Sequence, residues 1–385
     1  MFDIKVQRRL TEFKEDTIVS DEGNHIGLPN KGNTCYLNAV IQILYRCKLF
    51  RYEILLITDI MTKYIENKKL KPNIQRAAET IQSLNILFQS LKVNSLNGLS
   101  YFMTKFSKLK PKFSINHQQD AHEFLSYILE ALDDCKEFLK QSKEPLIFES
   151  TFNGSVTKNI ICQNCNKCVE SREKFNILTI PVDVNHDTKS SKYGAWSLAR
   201  WSNLEMLDGD NKYQCENCNS KQNAFMFPWI EIKPCILILH ICSFNVFNEN
   251  SLSSVFSLNM AEKVKGTFPV PLFLPLMHHY FHGKYRNENY YKNILEIYES
   301  PQKIKEQYNM KEYVNKSYVG YYLYGMIIHI GRSLSSGHYV TATPSQSNYL
   351  KWNIYDDQNV KKINIFEIFE NKMYSPYLIF YEKIT

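Results

Sequence analysis

Apolar residues recur at one period in the first third of this 385-residue chain and at another in the remainder. Leu37, Val40, Ile41 and Leu44 fall at i, i+3, i+4 and i+7 behind a Gly- and Asn-rich turn, which predicts an amphipathic helix. Residues 50–66 and 76–92 repeat the helical interval, with 67–73 as the loop between them. A further helix is predicted from His117 through Phe124, continuing with Leu125, Ile128, Leu129 and Leu132 on one face and with Asn116 as its cap. After Pro145 the pattern changes. Residues 148–161 and 173–184 are rich in Val, Ile, Phe and Thr and predict strands. Residues 234–244 form a continuous apolar run of strand length, expected to be buried on both faces. Residues 245–317 are irregular and polar apart from a Pro-rich stretch at 268–276, and read as an insertion or long loops. Strands follow at 321–330, 337–343, 349–355 and 377–384. Residues 1–24 read as a loose leader and 185–194 as a polar linker. A helical lobe followed by a β-rich lobe predicts an α+β protein with its site between the two.

Composition narrows the class. Hydrophobic residues make up 44% and charged residues 22%, enough for a sizeable core. No run of about 18 apolar residues predicts a membrane span, and the N-terminus lacks the apolar core of a secretory signal. The protein is therefore expected in the nucleus or cytoplasm, its ten cysteines reduced, and Cys pairs read as metal ligands or catalytic groups. The net charge of +7 is spread out, with lysine clusters at 68–71 and 105–112 that read as solvated faces rather than a nucleic-acid patch.

Chemistry concentrates in a few places. With Asn33 or Thr34 as N-cap, Cys35 enters the first turn of its helix, where free backbone N–H groups and the helix dipole favour a thiolate. Burial of a structural Cys is the competing reading of that stretch alone. Two Cys-x-x-Cys pairs, Cys162/Cys165 and Cys215/Cys218, suit a tetrahedral zinc with no position open to water, hence a structural one; Cys168 is a rival ligand that two complete pairs make unnecessary. Ser336-Gly337-His338-Tyr339 precedes Trp352-Asn353-Ile354-Tyr355-Asp356-Asp357, so a base and an acid lie on neighbouring strands. Adjacent strand residues point to opposite faces, so only one of Asp356 and Asp357 is expected to face His338. His329 is a competing base inside an apolar run that packing explains. Asp120 and Glu123 share a helical face, as ordinary surface charge or as a carboxylate pair that grips a basic peptide. His117 and His122 are poorly spaced for a metal.

These motifs occur in an order that resembles the ubiquitin-specific proteases: Gly-Leu-Pro-Asn-Lys-Gly-Asn-Thr-Cys-Tyr-Leu-Asn from Gly27, Gln-Gln-Asp-Ala-His-Glu-Phe from Gln118, the two Cys pairs, Ser-Gly-His-Tyr and Trp-Asn-Ile-Tyr-Asp-Asp. The resemblance runs from about residue 26 to the C-terminus and implies a papain-like cysteine protease with helical thumb, β-rich palm and zinc-bearing β fingers. It divides the chain into a leader (1–25) and a catalytic domain (26–385), with the thumb at about 26–145, the fingers within about 148–245 and the palm at about 146–385. It implies that Cys35 is the nucleophile, His338 the base, Asp356 the orienting acid and Asn30 the oxyanion partner. By the same resemblance Asp120 and Glu123 hold the arginines of the ubiquitin tail, and the cleaved bond follows the tail's terminal Gly-Gly. Residues 162–182 and 212–218 are further similar to the branch of ubiquitin carboxyl-terminal hydrolase 1. That match implies nuclear, monoubiquitinated DNA-repair substrates and a WD-repeat activating partner. No organic cofactor, direct nucleic-acid contact or membrane is expected. Two other readings compete. A catalytically weak ubiquitin-binding scaffold would lack a triad member, whereas all three residue types are present. A zinc-ribbon nucleic-acid binder would need a base-reading helix, and none is visible.

Overall fold

The helical period of the first third becomes five helices: α1 (Cys35–Arg46), α2 (Lys48–Asn67), α3 (Pro72–Lys92), α4 (Asn97–Leu109) and α5 (Ala121–Gln141). Strands then dominate: β1 (Gly154–Cys162), β2 (Cys168–Phe175), β3 (Leu178–Pro181), β4 (Glu205–Leu207), β5 (Tyr213–Cys215), β6 (Ser220–Gln222), β7 (Ala224–Ile232), β8 (Ile236–Cys242) and β9 (Phe273–Met277). The last part holds β10 (Tyr318–Ile330), β11 (His338–Ser345), β12 (Asn348–Asp356), β13 (Asn359–Asn364), a short helix α6 (Ile365–Glu370) and β14 (Tyr374–Lys383). This computed structural model describes residues 25–67, 70–113, 118–141, 151–181, 201, 205–242, 270–277, 318–331, 337–345 and 348–384. The expected leader, the linker at 185–194, most of the stretch 245–317, and Asn116, His117 and Ser336 lie outside the described residues. No described helix is long and apolar enough to cross a membrane.

The chain divides into two compact units, Met1–Glu149 with His338–Ile365 and Ser150–Gly337 with Phe366–Thr385. In the first, α1 is buried at every position from Cys35 to Tyr45. Ile81, Leu84 and Phe88 of α3 and Phe124, Ile128 and Leu132 of α5 are also buried in the core. Edge-to-face aromatic pairs knit α4, α5 and α1: Phe106–Phe124 at 5.1 Å between ring centroids and Tyr36–Phe124 at 5.6 Å. Each adds about 0.5–1.5 kcal/mol beyond the area it buries. The meander β11–β12–β13 belongs to this unit and is antiparallel throughout, with Thr341 opposite Tyr355 and Ile354 opposite Lys361. The Thr341 hydroxyl of β11 donates to the Ala39 carbonyl of α1 at 2.7 Å, both buried.

Three local differences from the sequence pattern have simple causes. The helix α4 was hidden by its lysines, although Leu99, Phe102 and Phe106 form a buried stripe. The loop between α2 and α3 is shorter than expected because Pro72 starts the next helix, where its missing N–H costs nothing. The helix predicted from His117 begins at Ala121, because Asp120 is the stronger local cap: its Oδ1 accepts the Glu123 N–H at 2.9 Å.

In the second unit one sheet runs β2-β1-β7-β4, beside the small hairpin β5–β6. β2 is an edge strand whose Glu170, Arg172, Glu173 and Lys174 are exposed, so it carries no hydrophobic alternation for a sequence pattern to detect. The expected strand 173–184 is thus two, β2 and β3, and β7 was missed altogether. Another set of strands centres on β8, which pairs antiparallel with β14 and parallel with β3. Ile236, Leu237, Ile238, Leu239 and Ile241 are all buried, as a run with two covered faces requires. The Pro-rich stretch read as loop contains β9, antiparallel to β10.

One buried ion pair ties α5 to α2: the Lys136 ammonium meets the Glu53 carboxylate, whose side chain is wholly buried. Lys136→Met strands that carboxylate and is expected to lower stability by about 3–5 kcal/mol, read by urea unfolding. Adding Glu53→Leu should restore most of the loss, since replacing both partners by apolar groups leaves no buried charge.

Candidate active site and cysteine cluster

The loop before α1 is shaped by its own side chains. Thr34 is the N-cap but makes no side-chain cap bond. Its hydroxyl turns backward instead, accepting the Lys31 N–H at 3.0 Å and donating to Asn30 Oδ1 at 3.2 Å. Asn30 Oδ1 also accepts the N–H groups of Gly32 and Thr34, at 3.1 and 3.2 Å. The N–H groups of the first helical turn are therefore not capped by Thr34, and Cys35 stands among them at the first position of α1. Gly27 is obligatory here: a Cβ at this position would lie 2.2 Å from the Gln358 carbonyl oxygen.

His338 opens β11, and its Nε2 lies 2.6 Å from Asp356 Oδ1, at the end of β12. The β11–β12 register brings the last residues of β12 beside the start of β11. The thiol of nearby Cys35 is the largest influence raising the pKa of this imidazole to about 9, reinforced by the hydrogen bond and charge of Asp356 and opposed by desolvation. With Nε2 on the acid, Nδ1 is the ring nitrogen left for the sulfur. Cys35, His338 and Asp356 are thus brought together within one unit.

Asp357 departs from the expectation that it would point away. β12 stops at Asp356, and Asp357 takes a left-handed conformation, φ 50°, in the turn to β13. Strand alternation does not apply there. Its Oδ2 lies 4.0 Å from His338 Nε2, accepts Asn30 Nδ2 at 2.8 Å, and its Oδ1 accepts Asn38 Nδ2 at 2.8 Å. Its carbonyl accepts the Leu28 N–H at 2.9 Å. Sequence reasoning gave Asn38 no role; its signal was an amide, like Gln42, on a largely apolar helix.

Asp120 and Glu123 do different things. Asp120 caps α5 and its Oδ2 accepts the Tyr339 hydroxyl at 3.3 Å. Glu123 is half-exposed and pairs with Lys112. Burial lowers the His122 pKa against the pull of these two carboxylates. His329 belongs to the second unit and is buried against Gly337, where a Cβ would come within 2.1 Å of its Nε2. Packing accounts for it, and for the glycine.

The four paired cysteines converge in the second unit. The Cys162 and Cys218 sulfurs are 3.9 Å apart, those of Cys165 and Cys215 3.6 Å, and all four lie within 4.8 Å of one another. Tetrahedral zinc at about 2.3 Å from each sulfur would set them about 3.8 Å apart, so the cluster fits that ion and can hold it. Both knuckles are built alike: Asn166 and Asn219, each just after the second Cys, are left-handed at φ 55° and 50°. The Asn166 N–H closes its turn on the Cys162 carbonyl at 2.9 Å. Cys168 is exposed at the start of β2 and outside the cluster.

Residues 26–381 match the family model described as ubiquitin carboxyl-terminal hydrolase. Ubiquitin carboxyl-terminal hydrolase 12 of Salmo salar is 28% identical over 364 residues, covering 89% of this chain and 82% of that protein. Ubiquitin carboxyl-terminal hydrolase 46 of Caenorhabditis elegans is 26% identical over 396 residues, covering 89% and 80%. Among solved structures, the SAGA Ubp8/Sgf11/Sus1/Sgf73 DUB module bound to ubiquitin aldehyde aligns with a TM-score of 0.67 at 20% identity, over 99% of this chain and 74% of that one. A form of that module bound to monoubiquitin aligns equally well, at 21% identity over the same shares. At these identities the structural likeness carries the fold.

The raised His338 pKa has a defined sign. Its contribution to stability is fully present below the unfolded value of about 6.5 and is lost as pH rises through about 9. Imidazole NMR should find this ring protonated at pH 7.5 with a midpoint near 9, and lower midpoints in Cys35→Ala and in Asp356→Asn.

Proposed function

The chain belongs to the ubiquitin carboxyl-terminal hydrolase family and is a cysteine-type deubiquitinase of α+β, papain-like fold, and on that premise we propose that Cys35, His338 and Asp356 are its catalytic triad. The observation that carries this reading is the His338 ring on Asp356 at 2.6 Å, with the Cys35 thiol near enough to be the largest influence raising that ring's pKa. Cys35, as thiolate beside the His338 imidazolium, attacks the carbonyl carbon of the terminal ubiquitin glycine. The oxyanion is met by the Cys35 N–H and one amide N–H of Asn30. As the tetrahedral intermediate collapses, His338 gives its proton to the departing lysine amine. The neutral ring then takes a proton from water, which attacks the thioester and releases the ubiquitin carboxylate and the thiolate. Asp356 keeps Nε2 engaged throughout, so that Nδ1 faces the sulfur.

The substrate is read as ubiquitin, in keeping with the ubiquitin complexes of the structural neighbours. Asp120 and Glu123 are proposed to receive the arginines of its tail, Asp120 steadied by Tyr339 and Glu123 exchanging Lys112 for the incoming guanidinium. The division into thumb, palm and fingers follows from the same family reading. A zinc held by Cys162, Cys165, Cys215 and Cys218 would join two knuckles across the fingers and supply folding free energy rather than chemistry. Nuclear, monoubiquitinated DNA-repair proteins as substrates and a WD-repeat activator complete the proposal, supported by the similarity of residues 162–182 and 212–218 to the hydrolase 1 branch.

Turnover of a ubiquitin C-terminal fluorogenic amide should be abolished in Cys35→Ala and lowered about 10²–10³-fold in kcat in Asn30→Ala. Undiminished turnover in Cys35→Ala would sink the triad reading. Metal analysis of the purified chain should find about one zinc, and Cys215→Ser should remove it and lower the melting temperature, while His338 keeps its titration midpoint. A folded, metal-free wild type would refute the zinc site. Affinity capture from nuclear extract followed by mass spectrometry should return a WD-repeat protein.

A further inference from the structure

Glu123 carries a cation before any substrate arrives. The Lys112 ammonium, from the turn after α4, meets its Oε1 at the first turn of α5. We propose that Lys112 is a resident competitor for the ubiquitin tail: it occupies the carboxylate that receives a tail arginine, must be displaced for the tail to seat, and so sets how tightly substrate and product are gripped. The inference rests on the Glu123 role given above. The placement of Lys112 is fixed by its neighbours. On one side the Lys110 ammonium lies 4.4 Å over the Tyr127 ring. On the other, Phe113 is buried, with its ring 5.7 Å from that of Phe124 and 6.1 Å from that of Tyr36. The Phe113 N–H closes the turn on the Lys110 carbonyl at 3.1 Å, and Pro111 between them locks one backbone angle. Tyr127 and Phe124 both belong to α5, the helix that carries Glu123. The two anchors thus grip α5 and deliver the lysine between them to the start of that helix.

The pair does little for the fold. The side chains of Lys112 and Glu123 are 63% and 45% exposed, so water solvates each without the other. Glu123 also lies in the first turn of α5, where the helix dipole already favours a carboxylate. The buried pair of Lys136 and Glu53 is different, because it cannot open without stranding a charge. An exposed pair opens easily, as a competitor must. A guanidinium offers the carboxylate a planar fork of donors and an ammonium a single point charge, so a tail arginine wins the exchange. The lysine still takes its share. Exposed pairs favour the closed form by only about 1.4- to 5-fold. A carboxylate open for the remaining fraction of the time binds its ligand about two- to sixfold more weakly. Released ubiquitin keeps its tail, so this grip acts alike on substrate and product. Binding of that uniform kind does not lower the chemical barrier, and loosening it frees the enzyme of its product without slowing the chemistry.

The test is a double-mutant cycle on the full chain, with a ubiquitin C-terminal fluorogenic amide as substrate and free ubiquitin as competing product. Glu123→Gln should raise both KM and the inhibition constant of free ubiquitin. Lys112→Ala should lower both in step, by about two- to sixfold. Lys112→Arg, a competitor with the same charge and a better fork, should leave both at or above the wild-type values. In the Glu123→Gln background, Lys112→Ala should change neither by more than about 1.5-fold, because the competition has lost its object. Constants that do not fall in Lys112→Ala overturn the proposal. So does a fall that persists in the Glu123→Gln background, which would make Lys112 a general repulsive charge, and so does a fall in Lys112→Arg. An inactive wild type, or Glu123→Gln with both constants unchanged, removes the underlying reading and the proposal with it. An active wild type that needs Glu123 but ignores the loss of Lys112 overturns the proposal alone.

Discussion

A thiol and an imidazole activate each other only while the segments that carry them are held at hydrogen-bond distance. In this chain that burden falls on contacts between the loop before α1 and the turn after β12, which bring together residues 327 positions apart. Leu28, Asn30 and Asn38 all donate to Asp357, and Thr341 of β11 donates to Ala39 of α1. A neutral hydrogen bond is worth about 1 kcal/mol net and one to a charged group about 1.5–3, so the set rivals a small core cluster in weight. Where Asn38, Thr341 and Ala39 take part the groups are buried, so losing one partner there also leaves another polar atom unmatched. Cys35 and His338 are thus placed by the same few bonds that close the first unit.

That economy explains what the sequence disclosed. The convergence of Cys35, His338 and Asp356 was legible because each stands next to a conformational requirement: Cys35 after a Gly- and Asn-rich turn, His338 after a glycine, Asp356 at a strand end. The long apolar run of β8 was legible because two covered faces demand it. The α4 helix was not, because its stripe of Leu99, Phe102 and Phe106 is narrow and the rest of it mixes Ser, Tyr, Thr and two lysines. β2 was not, because an edge strand exposed along its length needs no apolar residue. Asp357 was misread for a different reason. The rule that neighbours alternate holds only inside a strand, and whether Asp356 was the last strand residue depended on a left-handed turn that a preference scale does not locate.

The cysteine cluster follows a separate logic. Its sulfurs are set by two short turns that end alike on a left-handed asparagine, so each knuckle is a local object of a few residues. What is not local is the join, since Cys165 and Cys215 lie 50 positions apart. A metal there would close a long excursion of the chain.

Gly27 deserves a last consideration because it carries no reactive group. The 2.2 Å left between a Cβ at this position and the Gln358 carbonyl is a statement about tolerance: a single methyl group would wedge the loop from the turn. The neighbours displaced first are Leu28 and Asp357, whose backbones bond directly. A population of such chains would keep Cys35, His338 and Asp356 in its sequence, yet hold the thiol and the imidazole apart for more of the time. In this sense the smallest side chain on the path to Cys35 keeps the thiol and the imidazole in register.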